Sequence, residues 1–146
     1  MLIKHIAQND DILVQVDSDC DGFTSAATLL NYLNCLFPVF VQKHMYYRIH
    51  SGKQHGIIPE SIPDNIKMVI APDSSSNDYD EHKELFEKGI DVLVIDHHEA
   101  DKISEYACVI NNQLCDYPTK TLSGAGIVYK FCCYIDSLLE TNYANE

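Results

Sequence analysis

The sequence predicts an α/β domain: a parallel sheet in three layers, with helices on both faces. Short apolar runs rich in β-branched residues alternate with stretches of three- and four-residue hydrophobic spacing, giving the order strand, helix, strand, helix, strand. The 146 residues are 46% hydrophobic and 22% charged, enough for one core and too few for two. No repeat, linker or low-complexity tract divides them, so one domain over residues 1–146 is expected.

Ile12-Leu13-Val14-Gln15-Val16 reads as a buried strand. Phe23, Ala26, Ala27, Leu30, Leu33 and Phe37 then recur on one helical face, which Pro38 ends. Val39-Phe40-Val41 reads as a second strand. From His44 to Pro63, with Gly52, Gly56 and Pro59 between, an irregular surface connection is expected. Lys67 to Ala71 is the next strand. Asn77 is placed to cap a helix with Asp78, Asp80 and Glu81 at its start, Lys83 and Lys88 further along, and Gly89 as its stop. Val92-Leu93-Val94-Ile95 and Cys108-Val109-Ile110 read as strands. Val128, Phe131, Cys132, Ile135 and Leu139 mark a last amphipathic helix, with Ser123 as its N-cap.

Composition narrows the function. Lys and Arg total 10 against 22 Asp and Glu, a net charge of −12. Such a surface argues against simple adhesion to nucleic acid, yet an acidic chain acts on phosphates when metal ions bring the positive charge. The six cysteines show no CxxC spacing and predict reduced, mostly buried thiols rather than a disulfide or zinc framework. No apolar run approaches the roughly 20 residues of a membrane helix. The N-terminal MLIKHIAQNDD lacks a signal-peptide stretch, so a cytoplasmic protein without membrane contact is expected.

Three strands end in acid: the first in Asp17-Ser18-Asp19-Cys20-Asp21-Gly22, the second through Pro72 in Asp73, the third in Asp96-His97-His98. Ligands of open parallel sheets bind at the carboxyl ends of the strands, so these clusters converge on one edge. Carboxylates crowded there repel one another unless cations sit among them. An EF-hand is excluded, because a strand precedes the acids and the twelfth loop position is Thr28. The nucleophile loop of haloacid-dehalogenase-type phosphatases fits poorly, with Phe23 where a threonine is required.

Taken together these motifs resemble a known family. Val16-Asp17-Ser18-Asp19-Cys20-Asp21-Gly22, Val69-Ile70-Ala71-Pro72-Asp73, Ile95-Asp96-His97-His98-Glu99 and Ser123-Gly124-Ala125-Gly126-Ile127-Val128-Tyr129-Lys130 resemble, in order, the motifs of the DHH phosphoesterase superfamily. Within it, the Asp-x-Asp-x-Asp-Gly opening and the Gly-Ala-Gly helix start are most similar to the RecJ-like single-strand-specific exonucleases. The resemblance implies that Asp19 and Asp21 ligate metal, that Asp17 ligates or supports it, that Asp73 bridges two ions and that His97 ligates one. It implies that Asp96 ligates metal or orients the histidine, and that His98 meets the scissile phosphate. An oxygen-rich set with one imidazole suits two Mn²⁺ ions, with Mg²⁺ the weaker fit. Two-metal catalysis readies a water for in-line attack and needs no protein nucleophile, unlike the haloacid-dehalogenase route through an aspartyl phosphate.

The implied activity is hydrolysis of single-stranded DNA from the 5′ end. Ser123, Gly124, Ala125 and Gly126 would offer helix N-terminal N–H groups to a phosphate. Arg48, Lys53 and His55 are placed to touch the nucleic-acid backbone, His55 standing where the resemblance leads one to expect a tyrosine. Two departures stand out. The family carries a further metal-ligand aspartate past the last helix, and no Asp follows Asp136; it also carries a second, substrate-gripping domain. The chain is therefore expected to be the N-terminal part of a longer exonuclease, with an incomplete metal site. Alternatives are a short-oligonucleotide or cyclic-dinucleotide phosphodiesterase of the same superfamily, and a catalytically silent binding module. Intact Asp19, Asp21, Asp73 and His97 speak against the last.

Overall fold

A computed structural model describes residues 1–52 and 54–145. Five strands, β1 (Asp11–Val16), β2 (Met45–Ile49), β3 (Ile66–Pro72), β4 (Asp91–Asp96) and β5 (Cys108–Asn111), form one sheet in the order β2-β1-β3-β4-β5. Every pairing is parallel. The three acid-ended strands, β1, β3 and β4, are thus the three central neighbours, and their carboxyl ends lie side by side.

Alternate residues of the central strands feed two cores. Ile12, Val14, Val16, Met68, Ile70, Leu93 and Ile95 pack toward α1 (Leu2–Gln8), α2 (Cys20–Leu36), α3 (Pro38–His44) and α5 (Gly124–Leu139). Leu13, Val69, Ala71, Val92 and Val94 pack on the opposite face with Leu85 of α4 (Tyr79–Glu87). Strands buried on both faces read as continuous apolar runs, which is why the sequence displays them so plainly. The predicted three-layer arrangement is the one observed. Across the first core Tyr32 of α2 donates to Asp136 of α5 at 3.1 Å, and Thr141 and the Ala144 N–H donate to the same carboxylate. That spends Asp136 on structure.

Three expectations are corrected. Val39-Phe40-Val41 belongs to helix α3, not a strand: Pro38 ends α2 but also opens α3 at a position where its missing N–H costs nothing, and Val39 is exposed. The connection from His44 to Pro63 begins with an edge strand, β2, whose Tyr46, Tyr47 and Ile49 are exposed and so leave no buried run to read. Cysteine burial also differs, since Cys20, Cys35, Cys108 and Cys115 are exposed, Cys133 is half-buried and Cys132 alone is buried; all six are free thiols. No described helix is long and apolar enough to cross a membrane.

Candidate metal centre

Asp73 stands at the middle of the strand ends. Its backbone is left-handed, with φ 68°, a conformation Asp tolerates better than most residues, and its N–H donates to Ile95 O of β4 at 2.8 Å. The residue is 1% exposed. Oδ1 lies 3.1 Å from His97 Nε2, yet the two are not aligned for a hydrogen bond, and among the described residues this buried oxygen has no donor. Burial and the charges of Asp21, Asp19 and Asp96, only partly offset by His98, push the Asp73 carboxyl up to about 7. An anion held so unfavourably has the surroundings of a ligand awaiting a cation.

The neighbours complete a donor set. His97 Nε2 lies 3.6 Å from Asp21 Oδ2 as well. Asp73, His97 and His98 each offer a ligand atom, all within 4.8 Å of one another. Asp19 is the N-cap of α2 and accepts the Gly22 N–H through Oδ1 at 2.8 Å; its Oδ2 has no bond among the described residues. Asp21, in the first turn of α2, accepts the N–H groups of Gly124 and Ala125 at 2.8 and 3.0 Å. The donors read from sequence as a phosphate cradle therefore meet Asp21, and the Gly126 N–H meets its own cap, Ser123. The positive end of α5 thus fixes an acidic side chain of this chain. A Cβ on Gly124 would run into Asp73, so the close approach of α5 to this carboxylate requires glycine. Carboxylates with imidazole and a buried oxygen lacking a donor fit a divalent ion.

Asp96 plays a different part. Oδ1 accepts the His97 N–H at 2.7 Å, the His98 N–H at 3.2 Å and His98 Nδ1 at 2.8 Å, while Oδ2 accepts the Ser76 N–H at 3.1 Å. Burial raises its pKa, but these bonds outweigh burial and hold it below the usual carboxylate range. With both oxygens engaged, Asp96 orients the two histidines and leaves His98 Nε2 for a ligand. Asp96→Asn is expected to weaken divalent-ion binding by roughly 10–100-fold with the chain still folded, measured by calorimetry. Unchanged affinity would remove Asp96 from the support of the site.

Asp17, directly after β1, is 6% exposed and accepts the Ser18 N–H at 2.8 Å. His55 Nδ1 at 3.1 Å and His50 Nδ1 at 3.3 Å close on the same carboxylate. Burial raises its pKa, and the bonds from His55, Ser18 and His50 overcome that and lower it. His55 therefore faces Asp17, and Arg48 donates to the Ser61 carbonyl. Lys53 lies outside the described residues.

Sequence reasoning did not single out His50, whose Nε2 lies 2.7 Å from Gly56 O, or the run Ser74-Ser75-Ser76. With Asp17, His55, Asp73 and His98 these serines line a 270 Å³ pocket, and the Ser74 and Ser75 hydroxyls are buried without partners among the described residues. Nor did it find Asn111 and Gln113, which donate to the carbonyls of His98 and His97. Nothing in a serine or asparagine within a loop marks such contacts in advance.

A family model described as the DHH family, N-terminal domain, matches residues 11–145. The chain is 45% identical over 146 residues to the putative SPbeta prophage-derived single-strand DNA-specific exonuclease YorK of Bacillus subtilis (strain 168), covering 99% of this chain and 25% of that protein. It is 27% identical over 132 residues to the single-stranded-DNA-specific exonuclease RecJ of Thermus thermophilus, covering 88% of this chain and 19% of that protein. A crystal structure of exonuclease RecJ bound to manganese superposes with a TM-score of 0.82 at 23% identity, over 97% of this chain and 37% of the other. The chain thus spans a quarter or less of the length of these two curated relatives.

Proposed function

The chain belongs to the DHH family, and from that premise we propose that it carries the metal centre of a phosphodiesterase acting on single-stranded DNA as an exonuclease, with Mn²⁺ as its ion. The observation that carries this reading is the approach of Asp73 Oδ1 and His97 Nε2 to 3.1 Å with no hydrogen bond between them, beside Asp21. With Nε2 unprotonated, His97 and Asp73 present two lone pairs to one point, an arrangement that a divalent cation satisfies. The names of the relatives supply the substrate class, and mixed carboxylate and imidazole donors favour Mn²⁺ over Mg²⁺.

Asp73, His97 and His98 would hold one ion, and Asp19 and Asp21 would help hold a second. Bound there, divalent ions supply positive charge to the phosphate oxygens and acidify an attacking water. The protein supplies position. Asp96 fixes both imidazoles, the start of α5 fixes Asp21, and His98 projects from the strand end where a phosphate would arrive. We propose the cytoplasm as the compartment of this activity, a reading that exposed thiols at Cys20, Cys35, Cys108 and Cys115 support.

The test is Mn²⁺ calorimetry on the chain and on Asp19→Ala, followed by hydrolysis of single-stranded and duplex oligonucleotides labelled at either end. Saturable Mn²⁺ binding is expected, weakened at least about ten-fold in Asp19→Ala, with Mn²⁺-dependent release of mononucleotides from the 5′ end of single strands. A chain that binds no Mn²⁺ overturns the reading.

A further inference from the structure

Beside the metal centre lies an apolar surface that the chemistry above does not use. Phe23 sits in the same first turn of α2 as Asp21 and is 46% exposed. Tyr47 and Ile49 of the edge strand β2 are 66% and 46% exposed. With Val16, Ala26, Ala27 and Leu30 these three line an apolar cleft of about 150 Å³. Its origin is local. Tyr47 and Ile49 pair in register with Val14 and Val16, whose side chains join the core beneath α2. The helix presents Ala26 and Ala27 there, too small to cover two large side chains.

Electrostatics decides what this cleft receives. The substrate is a polyanion, the chain carries −12, and the strand ends nearby bear Asp17, Asp19, Asp21, Asp73 and Asp96. Its one arginine, Arg48, donates to the Ser61 carbonyl. Pairing with phosphates therefore contributes little grip outside the metal ions. A single strand offers one other surface, the faces of its bases, which a duplex hides. Resting on the function proposed above, we infer that Phe23 and Tyr47 form a base-stacking cleft that holds unpaired bases of the substrate next to the metal centre. Selection of single strands then follows from base exposure, because only unpaired bases reach the rings.

The test compares short oligothymidylate with an abasic strand of equal length, both with hydrolysis-resistant phosphorothioate linkages. Binding to the full chain is read by fluorescence anisotropy, with and without Mn²⁺. Phe23→Leu with Tyr47→Leu keeps apolar bulk and removes the rings; Phe23→Tyr with Tyr47→Phe keeps the rings. The chain is expected to prefer oligothymidylate, the leucine pair to lose at least about ten-fold of that affinity, and the aromatic pair to retain it. Binding to the abasic strand stays the same in all three. The salt dependence is expected to be shallow, with a log–log slope no steeper than about −1. Equal affinity for the two strands, no binding of oligothymidylate, or full affinity in the leucine pair overturns the inference, and the last two would leave the cleft to protein contact. Mn²⁺ calorimetry on the leucine pair separates this outcome from failure of the metal reading, since a lost stacking site leaves Mn²⁺ affinity unchanged.

Discussion

Asp73→Asn is expected to abolish Mn²⁺ binding and, without metal, to raise the melting temperature of the chain. The two effects have one cause. The Asp73 carboxylate is buried, one of its oxygens lacks a donor, and burial with the charges of Asp21 and Asp19 pushes its pKa up to about 7 from an ordinary 3.8. An acid whose folded pKa exceeds its unfolded value costs stability once ionised. The cost appears as pH rises above about 4, grows through 7 and is fully present beyond it. The shift corresponds to an upper bound of about 4 kcal/mol. An amide removes the charge but still needs partners, so a gain of about 2 kcal/mol at pH 8 is the expectation, roughly 4–8 °C. Asparagine also accepts the left-handed backbone at φ 68°, which alanine would not. Mn²⁺ should raise the melting temperature of the native chain and leave that of the variant unmoved, with affinity down by more than the roughly 100-fold that a supporting hydrogen bond can account for. As pH falls toward 4 the stability difference between the two should close. Equal Mn²⁺ affinity in calorimetry would remove Asp73 from the centre.

Legibility in the sequence followed burial and locality. β1, β3 and β4 showed themselves because both faces are covered, and their acidic ends were visible as strings of residues, Asp17 to Gly22 and Asp96 to His98. Convergence needed only the rule for parallel sheets, and the observed order places those strands together. What stayed hidden was short, exposed or distant. Helix α1 has 7 residues, too few for a hydrophobic period to repeat, and is held at the amino ends of β1 and β4 by His5 between Asp10 and Asp91. Strand β2 exposes its tyrosines, and Pro38 is as apt to begin a helix as to end one. The site's tightest constraint joins residues 103 apart: Asp21 meets the Gly124 N–H, and no local pattern reports such a pairing. The glycines of the last helix looked like phosphate donors because their role depends on a partner that only the fold brings near.

That distant contact makes Gly124→Ala the sharpest probe of how the centre is built. In an ordinary helix, alanine in place of glycine stabilises by about 0.5–1 kcal/mol. Here the added Cβ would lie 2.6 Å from Asp73 Cβ and closer still to its carboxylate, and Asp73 has no room to yield because its backbone is tied to β4. Either the carboxylate rotates away from His97 or the start of α5 lifts and carries off the N–H groups that hold Asp21. Both movements separate ligands from different elements, so Mn²⁺ affinity is expected to fall at least about 100-fold, beyond what loss of one supporting bond costs. Gly126, two residues along the same turn, supplies the control. A Cβ there meets Leu122 Cδ2 at 3.4 Å, an ordinary contact, so Gly126→Ala should keep Mn²⁺ affinity and gain up to about 1 kcal/mol of stability. Calorimetry on the two variants thus separates a helix start that needs flexibility from one that needs space at a single atom. If both alanines bind Mn²⁺ as the native chain does, the packing of α5 against Asp73 has no part in metal binding, and the centre rests on the strand ends alone.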